Sequence, residues 1–134
     1  MSQFVSISVR QLMESNSGFA LRTPPVDQLV SLLNSVGVET VPVTGSDRAV
    51  ALAAVPGAHI RVGGGSIVWN DGFLDIDAVA AIALWLVAYF DGHELWMADG
   101  SGSVLFRIDA TTLRSQLERK SAGLSVIDPD HPIL

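Results

Sequence analysis

Fourteen carboxylates, three histidines and no cysteine set the chemistry open to this 134-residue chain. Without cysteine there is no disulfide, no thiol nucleophile and no thiolate metal site. The densest carboxylates are Asp71, Asp75 and Asp77, and several oxygens at close quarters are what Mg²⁺ or Ca²⁺ requires. Their spacing matches no calcium loop, however. Asn70-Asp71-Gly72 reads more simply as a turn, and Asp75 or Asp77 as a helix cap. His59, His93 and His131 form neither HExxH nor any close metal-ligand pair, so His93 reads as a hydrogen-bonded structural residue. A Ser/His/Asp set can be written from Ser101 or Ser103, His93 and Asp99, but Gly100-Ser101-Gly102 lacks the G-x-S-x-G elbow and its strand-to-helix setting. Gly63-Gly64-Gly65 is followed by the strand-like Ile67-Val68-Trp69. Phosphate loops lead into a helix instead, so these glycines predict a hairpin. No catalytic residue, metal or cofactor is expected.

The charges point to binding. Apolar residues make up 49% of the chain and charged ones 16%, against about 25% charged in an average domain. Residues 1–61 carry four acids and four bases, as do residues 107–134. The whole net charge of −6 therefore sits between Val62 and Phe106, which holds Asp71, Asp75, Asp77, Asp91, Glu94 and Asp99 without a Lys or Arg. Nucleic acid, bound through basic groups, is a poor partner for such a surface. A basic protein suits it, while the plainer reading is that the asymmetry aids solubility.

Three tryptophans, Trp69, Trp85 and Trp96, are candidate anchors if they are not core. Their placement depends on the surrounding elements. Phe4–Ile7 predicts a strand, and Ser8 with Gln11 a capping box for a short helix to about Ser15. Thr23 as N-cap, Pro24 at the first helical position, the periodic Val26, Leu29, Val30, Leu33 and Val36, and Gly37 as stop predict a helix. Val38–Val43 reads as a strand that Pro42 places at an edge or strand end, and His59–Val62 with Ser66–Asn70 as a hairpin; in Asp47–Val55 the alanines favour a helix while Val50, Leu52 and the alternation favour a strand, the reading preferred. Asp109 caps a final helix to Ser121, and the tail from Ser125 reads as extended.

Leu84–Ile108 allows two readings. In the favoured one, a short helix at 77–83 precedes a three-strand meander turning at Asp91-Gly92 and at Asp99–Gly102. Leu95 then lies opposite Phe106 and Glu94 opposite Arg107. One face carries Leu86, Ala88, Phe90, His93, Leu95, Met97, Val104, Phe106 and Ile108. The other carries Trp85, Val87, Tyr89, Trp96 and Leu105 beside Glu94 and Arg107, and is either covered by a helix or a docking surface. In the competing reading, Asp75 or Asp77 caps a single helix through Ala78–Phe90, with Gly92 as its stop.

The fold class expected is a single α+β domain over residues 1–134, mainly antiparallel sheet, with a C-terminal β-meander at about 84–108 and helices packed on it. The thirteen-residue apolar run Ala78–Phe90 is too short to span a membrane. The N-terminus lacks a secretory signal, which makes a cytoplasmic protein the expectation. The function expected is a small acidic non-catalytic module, of inhibitor, immunity or chaperone-like type, engaging a basic protein through Trp85, Tyr89, Asp91, Glu94, Trp96 and Asp99. Two rivals stand beside it. A small hydrolase or lyase requires His59, His93 and two aspartates in one pocket, and an architectural subunit, such as a homodimer, requires a self-interface on the apolar second face.

Overall fold

A computed structural model describes residues 4–9, 23–45, 48–70, 72–99 and 104–122, with the backbone alone at Asp99, Val104 and Leu105. In chain order the elements are β1 (Phe4–Val9), α1 (Val26–Ser35), β2 (Thr40–Pro42), β3 (Ala49–Leu52), β4 (His59–Gly63), β5 (Ser66–Asn70), α2 (Ile76–Tyr89), β6 (Leu95–Asp99), β7 (Val104–Arg107) and α3 (Leu113–Ser121). The strands form one antiparallel sheet in the order β2-β3-β4-β5-β1-β6-β7. This is an α+β fold. The expected helix after Ser8, the turn at residues 100–103 and the tail from Ser125 lie outside the described residues. Ser8 itself belongs to β1, where it pairs with Ser66 and Trp96.

Local signals built most of these elements. Gly37, at φ +84°, ends α1, and the Val38 N–H to Leu33 O and Gly37 N–H to Asn34 O bonds close a Schellman motif. The N-cap is Pro25, not Thr23. Proline has no side-chain oxygen to cap with, and its carbonyl receives the Gln28 and Leu29 N–H groups as the first bonds of the helix. Gly64 and Gly65 form the two-residue loop between β4 and β5, with Gly65 at φ +81°. Edge strand β2 is short and ends in proline, which discourages further pairing.

The segment at 84–90 corrects the favoured sequence reading. It is the second half of α2, one helix from Ile76 to Tyr89 whose N-cap Asp75 accepts a hydrogen bond from Ala78 N–H at 2.8 Å. Topology requires this. Strands β5 and β6 both pair antiparallel with β1, so they run parallel to each other. Parallel strands need a long crossover, usually a helix, and no hairpin can join them. The C-terminal layer still has three adjacent strands, but β1 supplies the third.

Among the described side chains, the β6–β7 pair keeps the expected faces of Leu95, Trp96, Met97, Phe106 and Arg107 in a different register. Met97 lies opposite Phe106 and Trp96 opposite Arg107, with an irregularity between Met97 and Ala98. A slip of two residues preserves parity, so Leu95, Met97 and Phe106 still share the core side. The Glu94–Arg107 ion pair persists as a diagonal contact at 3.6 Å.

Side chains of one parity on each strand, among them Val5, Ile7, Val9, Val50, Ile60, Val62, Ile67, Trp69, Leu95 and Met97, form one buried cluster. Leu29 and Leu33 of α1, Val79, Ile82, Ala83 and Leu86 of α2, and Leu113 and Leu117 of α3 join it. Helix α2 packs against both α1 and α3, so it is the middle one of the described helices.

Helix α3 begins at Leu113 without a side-chain cap, one turn later than expected. Asp109 instead organises the preceding turn, accepting from the Thr111 N–H at 3.0 Å and the Thr111 hydroxyl at 2.8 Å. The Thr111 hydroxyl, and then its backbone N–H, hold the Asp109 carboxyl below the ordinary aspartate range. A depressed native pKa stabilises above the unfolded pKa, and that contribution is lost as pH falls through the native value. An NMR titration of Asp109 should therefore show a lowered midpoint that rises in Thr111→Val; an unchanged midpoint would remove this role.

Gln116 ties α3 to the sheet. Its amide donates to Arg107 O at 2.7 Å and accepts from Asp109 N–H at 3.1 Å. Gln116→Ala strands both partly buried backbone groups and should lower unfolding free energy by about 1–2 kcal/mol in denaturant melts. No loss would mean that water replaces both bonds.

Candidate docking surface

A middle helix is buried beneath and flanked on both sides, so three of its sides should be apolar and the fourth polar. On α2 the fourth side is apolar as well. No charged residue occurs between Asp77 and Asp91. The outward positions Asp77, Ala81, Leu84 and Ala88 follow helical spacing, with Asp91 in the turn just past the helix, and Leu84 is 46% exposed. From Asp77 to Ala88 the stripe runs about 16 Å along the axis at 1.5 Å per residue. An aspartate stands at each end.

Beside it lies the seam with α1. Half-buried Trp85 donates its indole N–H to Gln28 Oε1 at 3.2 Å. Its ring sits 6.3 Å from that of Tyr89, whose hydroxyl donates to Thr23 O at 3.3 Å. Tyr89 in turn meets Phe90 edge-on at 5.0 Å. These contacts fix the start of α1 against the end of α2, leaving a shallow depression lined by Asp27, Gln28, Ser31, Leu32 and Trp85. The tryptophan is held in place by its neighbours and still offers one side to solvent.

The carboxylates differ in what they already do. Asp75 caps α2, and Asp77 pairs with Arg114 of α3. Glu94 binds both Arg107 and the Trp96 indole, the latter at 3.3 Å. Asp27 and Asp91 are exposed and have no partner among the described residues. Both lie at the Trp85 end of the α1–α2 pair.

The six expected binding residues are thus divided. Trp85, Tyr89 and Asp91 belong to the helical side. Trp96 alternates with the core residues Leu95 and Met97, so it and its partner Glu94 occupy the opposite face of the sheet, where Trp96 is only 4% exposed. The expectation that Trp85 and Trp96 share one face fails with the strand at 84–90. The side chain of Asp99 lies outside the described set. Residues missed at the sequence level are Leu84, Ala88, Gln28 and Asp27. A period of 3.6 across 76–91 separates Leu84 and Ala88 from buried Leu86, whereas a period of two merges all three.

The histidines do not converge. His59 faces outward from β4, and His93 lies in the turn after α2. Among the described residues no three of His, Asp and Glu gather as metal ligands. A cleft of about 480 Å³ opens where the start of α2 and the end of α3 meet the sheet, floored by Val5, Trp69, Val79, Met97 and Leu117. Its rim carboxylates are those already engaged, Asp75 as cap and Asp77 with Arg114. No described helix is long and apolar enough to cross a membrane. No family model matches the chain, and neither a curated protein nor a solved structure matches it.

Proposed function

We propose that this chain is a non-catalytic protein-binding module that engages a basic, partly apolar protein through the outward side of the α1–α2 pair. The observation that carries this is the apolar fourth side of α2, where Leu84 and Ala88 face solvent beside half-buried Trp85. Contiguous exposed apolar surface rimmed by polar residues marks interaction sites. A large aromatic already fixed by neighbours loses little entropy on binding, which is the character of an interface anchor. Exposed Asp27 and Asp91, without partners among the described residues, supply the complementary charge for a basic rim. Inhibitor, immunity and chaperone-like roles all belong to this class. A cytoplasmic setting is part of the same proposal.

The test is affinity capture from the cells that produce the protein, comparing wild type with Leu84→Lys and Asp91→Lys. Both sites are exposed, so both variants should fold. The reading predicts capture of a basic protein by wild type that falls at least about tenfold in each variant. Equal capture by all three would overturn it.

A further inference from the structure

The sheet has a second open region on the face opposite the described helices. Residues alternating with the core side chains Val5, Ile60, Val62, Ile67 and Trp69 point away from the helical layer. They include Phe4 of β1, His59 and Arg61 of β4, and Val68 and Asn70 of β5. Pairing sets Phe4 opposite Asn70, and Val68 opposite Arg61. These five and Gly57 line a concavity of about 490 Å³.

The composition of this region is unlike the rest of the chain. Strands β1 to β5 contain no aspartate or glutamate, in a protein that has fourteen. Arg61 is exposed, and among the described residues neither its guanidinium nor the His59 ring has a hydrogen bond or ion pair. Phe4 is 54% exposed, the most exposed of the large hydrophobic side chains described. A solvent-facing strand position ordinarily carries a polar residue. An open aromatic ring two strands across and two residues along from an unpaired guanidinium, about 12 Å between their backbone positions at the usual strand spacing and rise, is a two-point recognition surface.

We propose that this concavity binds a small planar ring bearing a carboxylate or phosphate, with the ring stacked on Phe4 and the anionic group held by Arg61. The guanidinium fork presents paired N–H donors that match either anion. Aromatic stacking accepts any flat π-system, and strands β4 and β5, which carry Arg61 and its neighbours, hold no carboxylate to repel the anion. His59 adds a ring nitrogen beside the anion site. The site lies on the opposite layer from the α1–α2 surface and does not depend on it.

The experiment is titration of the full chain by NMR with four probes: adenosine 5′-monophosphate, 2-naphthoate, adenosine and inorganic phosphate. The proposal expects at least one of the two ring-plus-anion probes to bind about tenfold or more tightly than adenosine or phosphate. The shifts should centre on β1, β4 and β5, and the better probe identifies the anion. Arg61→Gln and Phe4→Ala, both at exposed positions, should each weaken that probe at least about fivefold. Arg61→Lys should fall between, because it keeps the charge and loses the fork. Leu84→Lys should leave it unchanged. Binding no tighter than that of the half-probes, shifts centred on another surface, or indifference to both Arg61→Gln and Phe4→Ala would each overturn the proposal.

Discussion

Leu86→Asp should leave the chain unfolded at room temperature, while Ala88→Lys, two residues on, should alter its stability by no more than about 0.5 kcal/mol. Leu86 is fully buried beneath α2 against the sheet. A carboxylate there loses its hydration without gaining a partner, and burial of an unpaired charge costs several kcal/mol, a large part of the roughly 5–15 kcal/mol available to a domain. Ala88 faces solvent, and lysine is a good helix former at an exposed position. The pair separates the two readings of residues 84–90, because a strand places Leu86 and Ala88 on one face and would make both substitutions destructive. Circular dichroism and urea melts suffice. Equal damage at the two sites would refute the continuous helix.

Trp69→Ala should be nearly as damaging. Trp69 is 3% exposed and pairs with Ile60 on one side and Val5 on the other, where β5 joins the four-strand half of the sheet to β1. Removing a buried indole costs about 3–5 kcal/mol through lost burial and the cavity left behind. For a domain of this size that corresponds to a fall in Tm of roughly 10–20 °C. Trp69→Phe should recover more than half of it by refilling most of the space. A loss below about 1 kcal/mol for Trp69→Ala would mean that this junction is not packed as described.

What the sequence made legible was mostly local. Gly37 ended a helix, Gly64-Gly65 turned a hairpin and Pro42 marked an edge, each because a backbone conformation restricts which residue can occupy it. The faces of Leu95, Trp96, Met97, Phe106 and Arg107 were also readable, since parity survives a slip of two positions. The register itself was not. It depends on the irregularity at Met97 and Ala98 and on a connection outside the described residues.

Residues 84–90 have the composition of a strand for a physical reason. A helix in the middle of a layer needs apolar flanks as well as an apolar base, so Trp85, Val87 and Tyr89 gave it the composition of a strand. The fact that decides for a helix is non-local: β1, from the other end of the chain, lies between β5 and β6 and makes them parallel. The candidate site suffered the same fate. Trp85, Tyr89 and Asp91 were identifiable as types, but Leu84 and Ala88 became neighbours of theirs only once the period was 3.6. Charge segregation along the sequence likewise did not become one patch, because Asp77 lies in the first turn of α2 and Asp91 just past its last, at opposite ends of a helix about 20 Å long.

The claim on which the account rests is that the outward side of α2 is covered by another protein in the cell. Site-specific photo-crosslinking addresses it directly, with benzoylphenylalanine placed at Ala88 and, as control, at exposed Thr111 in the turn before α3. The account predicts a discrete adduct with a basic protein from position 88 and none from position 111. No adduct at 88, or the same adducts from both positions, would contradict it.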